Sequence, residues 1–332
     1  MVVLSPEGFG TVSEFHERLL QAAACGVPVA VTDRSPVEAL DPELASMVPV
    51  VGSAADVAEL ADRLVDPQVR ERWSIPLRRH VITRHGLDAR FAVVLGRLGV
   101  PVGADERVSV LLCTMRSDFL EHALANVAAQ EHVDKELVLV LHGPERFDLV
   151  DVREQLDRLE FPTVLVEAPS TMLFGDALNA GLDRATGRYV TKMDDDDYYG
   201  PHHITDLLCA HTYSNADIVG KWGNITYLES SDVTIDSRLD REEHFGSHLP
   251  GATWLIEADV IRLFGYGRVT WSVDTEVLKR MARFGARFYS THRFNFIRVR
   301  HGDHTFDRDD SWFMEASSGE PRNGLDPARE WA

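Results

Sequence analysis

Three cysteines in 332 residues, Cys25, Cys113 and Cys209, are too few and too widely spaced for a disulfide framework or a cysteine-based metal site. They are expected as reduced, buried thiols of a cytoplasmic protein. Long apolar runs are also missing. No stretch approaches about 18 uninterrupted apolar residues, so no membrane span is expected. The N-terminus lacks the basic start and apolar core of a signal peptide. Positive charge is scarce: 34 Lys and Arg stand against 53 Asp and Glu, a net charge of −19. No Lys/Arg cluster offsets this, since Arg293–Arg300 is short and mixed with apolar residues. Nucleic acid is therefore not expected as a partner. No internal repeat or low-complexity tract is visible.

What is present divides near residues 99–107, where "GVPVGADER" reads as a linker. Segment 1–100 predicts a helix over Glu14–Ala24, stopped by Gly26, then a short strand in "VPVAVT". Two or three helices follow from Ala55 to about Leu98, with Pro76 expected to break or kink the middle one. One or two strands are too few for an independent nucleotide-binding domain. From Arg107 to about Phe306, strands and helices alternate. "VSVLLCT", "ELVLVLHG", "PTVLVEA" and "RYVTKM" read as buried strands. "DFLEHALANVAAQ", "FDLVDVREQLDRL" and "FGDALNAGLDRATG", the last closed by Gly187, read as helices. Such alternation predicts an α/β fold, a parallel sheet with helices on both faces. Residues 307–332 form a polar tail, expected to wrap the surface or to be partly disordered.

Ligands on such sheets sit beyond the carboxyl ends of the strands, and the fourth strand ends in Asp194, Asp195, Asp196 and Asp197. Four adjacent carboxylates after a buried strand repel one another and call for a counter-cation. Mg²⁺ and Mn²⁺ take oxygen ligands and complete their shells with substrate phosphates. A nucleoside diphosphate is a natural partner. A solvated acidic turn is the plain alternative.

The order of residues narrows this. "VSVLLCTMRSDFLEHALANVAAQ" and "LNAGLDRATGRYVTKMDDDDYYGP" resemble the start and core of family-2 glycosyltransferases of the GT-A fold, over about 200 residues. The resemblance implies a Rossmann-like mixed sheet with helices on both faces over 107–306. It implies a sugar transferase using a nucleotide-diphosphate sugar donor, Mn²⁺ or Mg²⁺, and a glycan or other hydroxyl acceptor. Asp194 and Asp196 become the DxD pair: Asp194 faces the ribose or metal, Asp196 binds the metal, and Asp195 and Asp197 stand beside them. Thr114 and Arg116 fall where the nucleotide pocket begins. His142 and Gly143 stand where many relatives carry a base-binding Asp. Asn179 and Asp176 border the donor or serve as cap and surface residues. In "WSVDTEVLKRMARFG", Asp274 takes the position of the general base and Glu276 is the alternate. Val273, Val277, Leu278, Met281 and Phe284 share one face of that helix. His304 is the expected late-loop metal ligand, His301 its reserve, and Arg300 would offset diphosphate charge. Trp222, Trp254 and Trp271 are sugar platforms or core.

"SPEGFG", "RLLQAAACGVPVAVTD" and "RRHVITRHGLDARF" resemble the C-terminal end of a GT-B glycosyltransferase of the spore-protein or family-4 type. Gln21 stands where that family has a ribose-binding Glu, and the first lobe is missing. Segment 1–100 is expected to be a mostly helical, partial α/β remnant or docking module. Two other functions remain. A nucleotidyltransferase needs a Gly-rich phosphate loop, which "CTMRSDF" lacks. A non-catalytic partner of a glycosyltransferase assembly is the other.

Overall fold

A computed structural model describes residues 1–100, 106–269, 272–302 and 309–332. The chain forms two compact units, Met1–Ala104 and Asp105–Trp331.

The first unit pairs β1 (Val2–Leu4) with β2 (Val29–Val31) in parallel. Its helices are α1 (Val12–Ala24), α2 (Ser35–Leu40), α3 (Pro42–Met47), α4 (Ala54–Arg63), α5 (Pro67–His85) and α6 (Leu87–Arg97). Thr11 and Glu14 start α1 with a capping box: the Thr11 hydroxyl accepts the Glu14 N–H, and Glu14 accepts the Thr11 N–H. Gly26, at φ +70°, turns the chain toward β2. Phe15, Leu19 and Ala23 of α1 pack with Leu77 and Val81 of α5 against Val29 and Val31. Pro76 does not break α5, which continues through it. Proline removes one helical hydrogen bond, but burial of Leu77 and Val81, worth roughly 1.5–3 kcal/mol each, holds the helix on the core. Gln21, on the exposed side of α1, donates to Glu17 at 2.9 Å.

The second unit runs β3 (Val108–Thr114), α7 (Leu120–Ala128), β4 (Lys135–His142), α8 (Leu149–Asp157), β5 (Thr163–Ala168), α9 (Phe174–Leu182) and β6 (Tyr189–Met193). Then come β7 (Tyr198–Tyr199), α10 (His203–Ser214), β8 (Ile218–Gly220), β9 (Asn224–Leu228), β10 (Val233–Ser237), β11 (His244–Gly246) and β12 (Leu255–Glu257). α11 (Ala258–Phe264), α12 (Val273–Arg283), β13 (Phe288–Ser290), β14 (Phe296–Arg300), α13 (Asp310–Glu315) and β15 (Arg322–Asn323) complete it.

Among the described residues, the large sheet has the order β11-β13-β8-β12-β6-β3-β4-β5. Strands β6, β3, β4 and β5 are parallel, as the alternation predicts. β12 enters antiparallel to both β6 and β8, so the sheet is mixed, as the resemblance implies, rather than wholly parallel as the alternation alone predicts. Its two faces are read off β3. Val110 and Leu112 pack toward α7 and α10, while Leu111 packs toward α9 and α12. Helices thus cover both faces, and the period of two in a strand assigns each residue to one of them.

Helix α9 ends at Leu182, before the expected stop at Gly187. Gly187 is required for another reason: a Cβ there would lie 2.7 Å from the Arg107 carbonyl oxygen and 2.8 Å from the Ser109 nitrogen. Phe284 is 82% exposed although Val273, Val277, Leu278 and Met281 are buried. It lies just past the end of α12 and meets Phe264 edge-on instead. Within the tail, β15 pairs with β10 and joins the second sheet, β15-β10-β9-β14-β7. No helix among the described residues is long and apolar enough to cross a membrane.

Candidate active site

The aspartate run bridges β6 and β7 at the carboxyl end of the parallel strands. β7 pairs with β14, Tyr198 opposite Ile297 and Tyr199 opposite Phe296, so the end of β14 comes to the same place. The four acids then divide into groups with different partners.

Asp194 faces Lys192, whose Nζ donates to its Oδ1 at 2.5 Å. The same ammonium stands 3.6 Å from Oδ2 of Asp274, in the first turn of α12. Lys192 is only 5% exposed. Burial would depress its pKa, but Asp194 and Asp274 outweigh that and hold it charged. The Asp274 carboxyl is pushed up by burial, with Lys192 pulling it back and Asp194 adding to the rise. Its Oδ1 is buried without a hydrogen-bond partner. Gly251 makes room for this group: a Cβ there would lie 1.8 Å from Oδ2 of Asp274.

Asp195 and Asp196 face the other way. Arg116 reaches Asp195 through Nε at 3.1 Å and also through Nη2, which stands 2.8 Å from Oδ2 of Asp196. The Thr114 hydroxyl, at the end of β3, also donates to Asp195. His301 Nε2 lies 2.9 Å from Asp196 Oδ2, and its ring stacks on Phe119. Burial lowers the Arg116 pKa, but the two carboxylates more than reverse it. Asp197 is structural in its contacts. Its Oδ1 accepts the Val299 N–H at 2.9 Å, and its carbonyl accepts from Asn126. Burial and the neighbouring acids Asp196 and Asp194 raise its carboxyl.

The remaining expected residues are placed as follows. His142 ends β4, with Nε2 2.8 Å from the Met172 carbonyl and its ring stacked on Phe174. Asn179 clamps the Tyr266 backbone, donating to its carbonyl at 2.9 Å and accepting its N–H at 2.7 Å. Asp176 pairs with Arg268 at 3.1 Å. Glu276 is engaged by Arg280 at 2.8 Å, and Arg280 also donates to the carbonyls of Phe264 and Gly265. It is therefore tied into the α11–α12 connection rather than to the aspartate run. Arg300 ends β14 with its guanidinium over the Phe313 ring. Trp254 is core, its indole N–H donating to Leu249, while Trp222 is partly exposed beneath Arg241. His304 and Trp271 lie outside the described residues.

Lys192 and Gly251 were not singled out from the sequence. A lysine inside the apolar run "RYVTKM", just before an acidic cluster, was a visible signal for the first. For Gly251 there was none, because the need for it comes from Asp274, more than twenty residues later.

A divalent ion fits the donor set. Asp196 and His301 offer a carboxylate oxygen and an imidazole nitrogen 2.9 Å apart, about the spacing of adjacent ligands around an ion with ~2.0–2.1 Å bonds. An imidazole in the set favours Mn²⁺ over Mg²⁺.

Residues 109–249, all within the second unit, match the family model described as Glycosyl transferase family 2. An uncharacterized glycosyltransferase of Nostoc sp. (strain PCC 7120) is 29% identical over 131 residues. That match covers 39% of this chain and 40% of the relative, so the chain spans well under half of that protein. Among solved structures, the mannosyltransferase PcManGT of Pyrobaculum calidifontis, with GDP-Man and Mn²⁺, is 17% identical at TM-score 0.47, covering 68% of this chain and 67% of that one. S. aureus TarS 1-349 with UDP-GlcNAc is 15% identical at TM-score 0.47, covering 68% and 69%. The family match lies wholly in the second unit and does not extend to the GT-B resemblance of the first.

Proposed function

We propose that the second unit transfers a sugar from a nucleotide-diphosphate sugar to an acceptor hydroxyl with inversion at the anomeric carbon. Asp274 is the general base. The observation that carries this is its carboxylate: raised in pKa, one oxygen without a partner, seated over Gly251 beside the Lys192–Asp194 pair. A base that takes its proton as the new bond forms gains from a pKa nearer the working pH. Lys192 keeps Asp274 and Asp194 from repelling each other, and so positions the base without competing for the proton.

Asp196 and His301 would hold the Mn²⁺ or Mg²⁺ ion, with Asp194 toward the ribose or the ion. When bound, the ion supplies Lewis-acid stabilisation of the departing diphosphate. Arg116 and Thr114 orient Asp195 and Asp196 for that task, and Arg300 adds positive charge from β14. The acceptor is a glycan or another hydroxyl compound, and a cytoplasmic site of action accords with three free cysteines, of which only Cys209 is buried as expected.

The test is product analysis with a panel of nucleotide sugars and Mn²⁺. Release of a nucleoside diphosphate and a sugar of inverted configuration is expected. Pyrophosphate release, or retained configuration, overturns the reading.

A further inference from the structure

The first unit holds a cluster of a different kind. Asp41 caps the N-terminus of α3: its Oδ1 accepts the N–H groups of Glu43 and Leu44 at 2.9 and 3.1 Å. That leaves Oδ2 fixed in direction. Two imidazoles from α5 converge on this single oxygen, His80 Nε2 at 2.8 Å and His85 Nε2 at 2.9 Å. The three ligand atoms all lie within 4.8 Å of one another. His80 is buried, while the Asp41 and His85 side chains are 17% and 11% exposed, so solvent reaches one side of the cluster. Glu43 stands 3.7 Å from the other ring nitrogen of His80.

We infer that Asp41, His80 and His85 form a binding site for a borderline divalent ion of the Zn²⁺ type, separate from the aspartate run. Two imidazole nitrogens and one carboxylate oxygen are a tetrahedral zinc donor set with one position left for water. Ligands at about 2.0–2.2 Å from such an ion stand roughly 3.3–3.6 Å apart, wider by about half an ångström than the 2.8 and 2.9 Å contacts seen here, an opening that rotation of the two rings supplies. On binding, each Nε2–H proton is surrendered and the imidazole is protonated at Nδ1 instead. For His80 that proton then points toward Glu43, the carboxylate–histidine arrangement that orients metal ligands. His85 lies in the last turn of α5, where the helix dipole favours a cation. The ion would clasp the C-terminal end of α5 to the N-terminal end of α3.

The experiment uses the full chain without a histidine tag, chelator-stripped, in the Asp196→Ala background so that the aspartate run does not take up the ion. Zn²⁺ is titrated in with a chromophoric competitor, and Co²⁺ is added separately to read the d–d spectrum. One equivalent is expected, with a tetrahedral Co²⁺ spectrum and a rise in apparent Tm. His85→Gln and His80→Gln should each weaken binding by at least tenfold, and His85→Gln in the otherwise native chain should leave sugar transfer unchanged. Should the variants fail to fold, X-ray absorption of the Zn²⁺-loaded Asp196→Ala chain decides the matter, with two imidazoles expected in the first coordination shell. Binding that survives both substitutions, no equivalent bound in the Asp196→Ala chain, or a shell without imidazole overturns the proposal.

Discussion

The two sides of the aspartate run differ in the cation each faces. Asp194 shares a buried lysine with Asp274, whereas Asp195 and Asp196 share an arginine and Asp196 also meets His301. Four consecutive carboxylates with nearly the same chemistry are thus sent to separate tasks by what the fold places beside them. A lysine presents one compact charge that two acids divide. An arginine presents a fork that fixes the direction of each carboxylate it touches. The lysine side raises no barrier to the base role proposed for Asp274, and the arginine side aims both of its carboxylates.

The sharpest way to break this comparison is Asp274→Asn. We expect kcat to fall by about 10²–10⁴-fold while donor affinity, measured by calorimetry, stays within twofold. An equal loss in donor binding would merge the two sides into one. Asp196→Ala should do the converse: Mn²⁺-dependent donor binding is lost and turnover drops by about 10²–10³-fold, the scale of removing a main electrostatic stabiliser. Turnover that keeps its Mn²⁺ dependence would remove Asp196 from the ion site.

Gly251→Ala probes the lysine side without touching a charge. The new methyl forces the Asp274 carboxylate to swing away, and misplacement on the order of 1 Å costs about 10²-fold. The circular dichroism spectrum should be unchanged; an unchanged kcat would mean that Asp274 does not act from where it stands. Arg116→Lys is milder. It keeps the charge but loses the fork, and donor KM should rise about tenfold, the loss of one charged hydrogen bond.

The pH dependence separates the two sides as well. As the proposed base Asp274 would work as the carboxylate, and its pKa is raised, so kcat should fall with decreasing pH through a midpoint above the usual aspartate value near ~3.9. Asp274→Asn should abolish that acid limb, and a limb that persists would belong to another group.

Much of the parallel sheet was legible because buried strands are continuous apolar runs, and "VSVLLCT" and "RYVTKM" end within a residue of β3 and β6. The aspartate run was legible because charge directly after such a run is conspicuous. The antiparallel entry of β12 and the small second sheet were not. Their strands are two to five residues long and, apart from the β9–β10 hairpin, pair with partners far away in sequence, so no local period marks them. Lys192 was read as part of a strand because a single charge does not disturb the apolar pattern of its neighbours. The end of α9 was misread because a glycine needed for close approach to β3 looks, in sequence, like a helix stop.

Tyr199 has a consequence for how the two substrates meet. Its hydroxyl accepts the Asp194 N–H at 2.8 Å and donates to the Ala252 carbonyl at 2.9 Å, next to the glycine over which Asp274 sits. One rigid ring therefore sets the span between the aspartate run and the loop over which Asp274 is seated. Under the proposed function, the distance an acceptor oxygen must cross is built into the folded core before either substrate arrives.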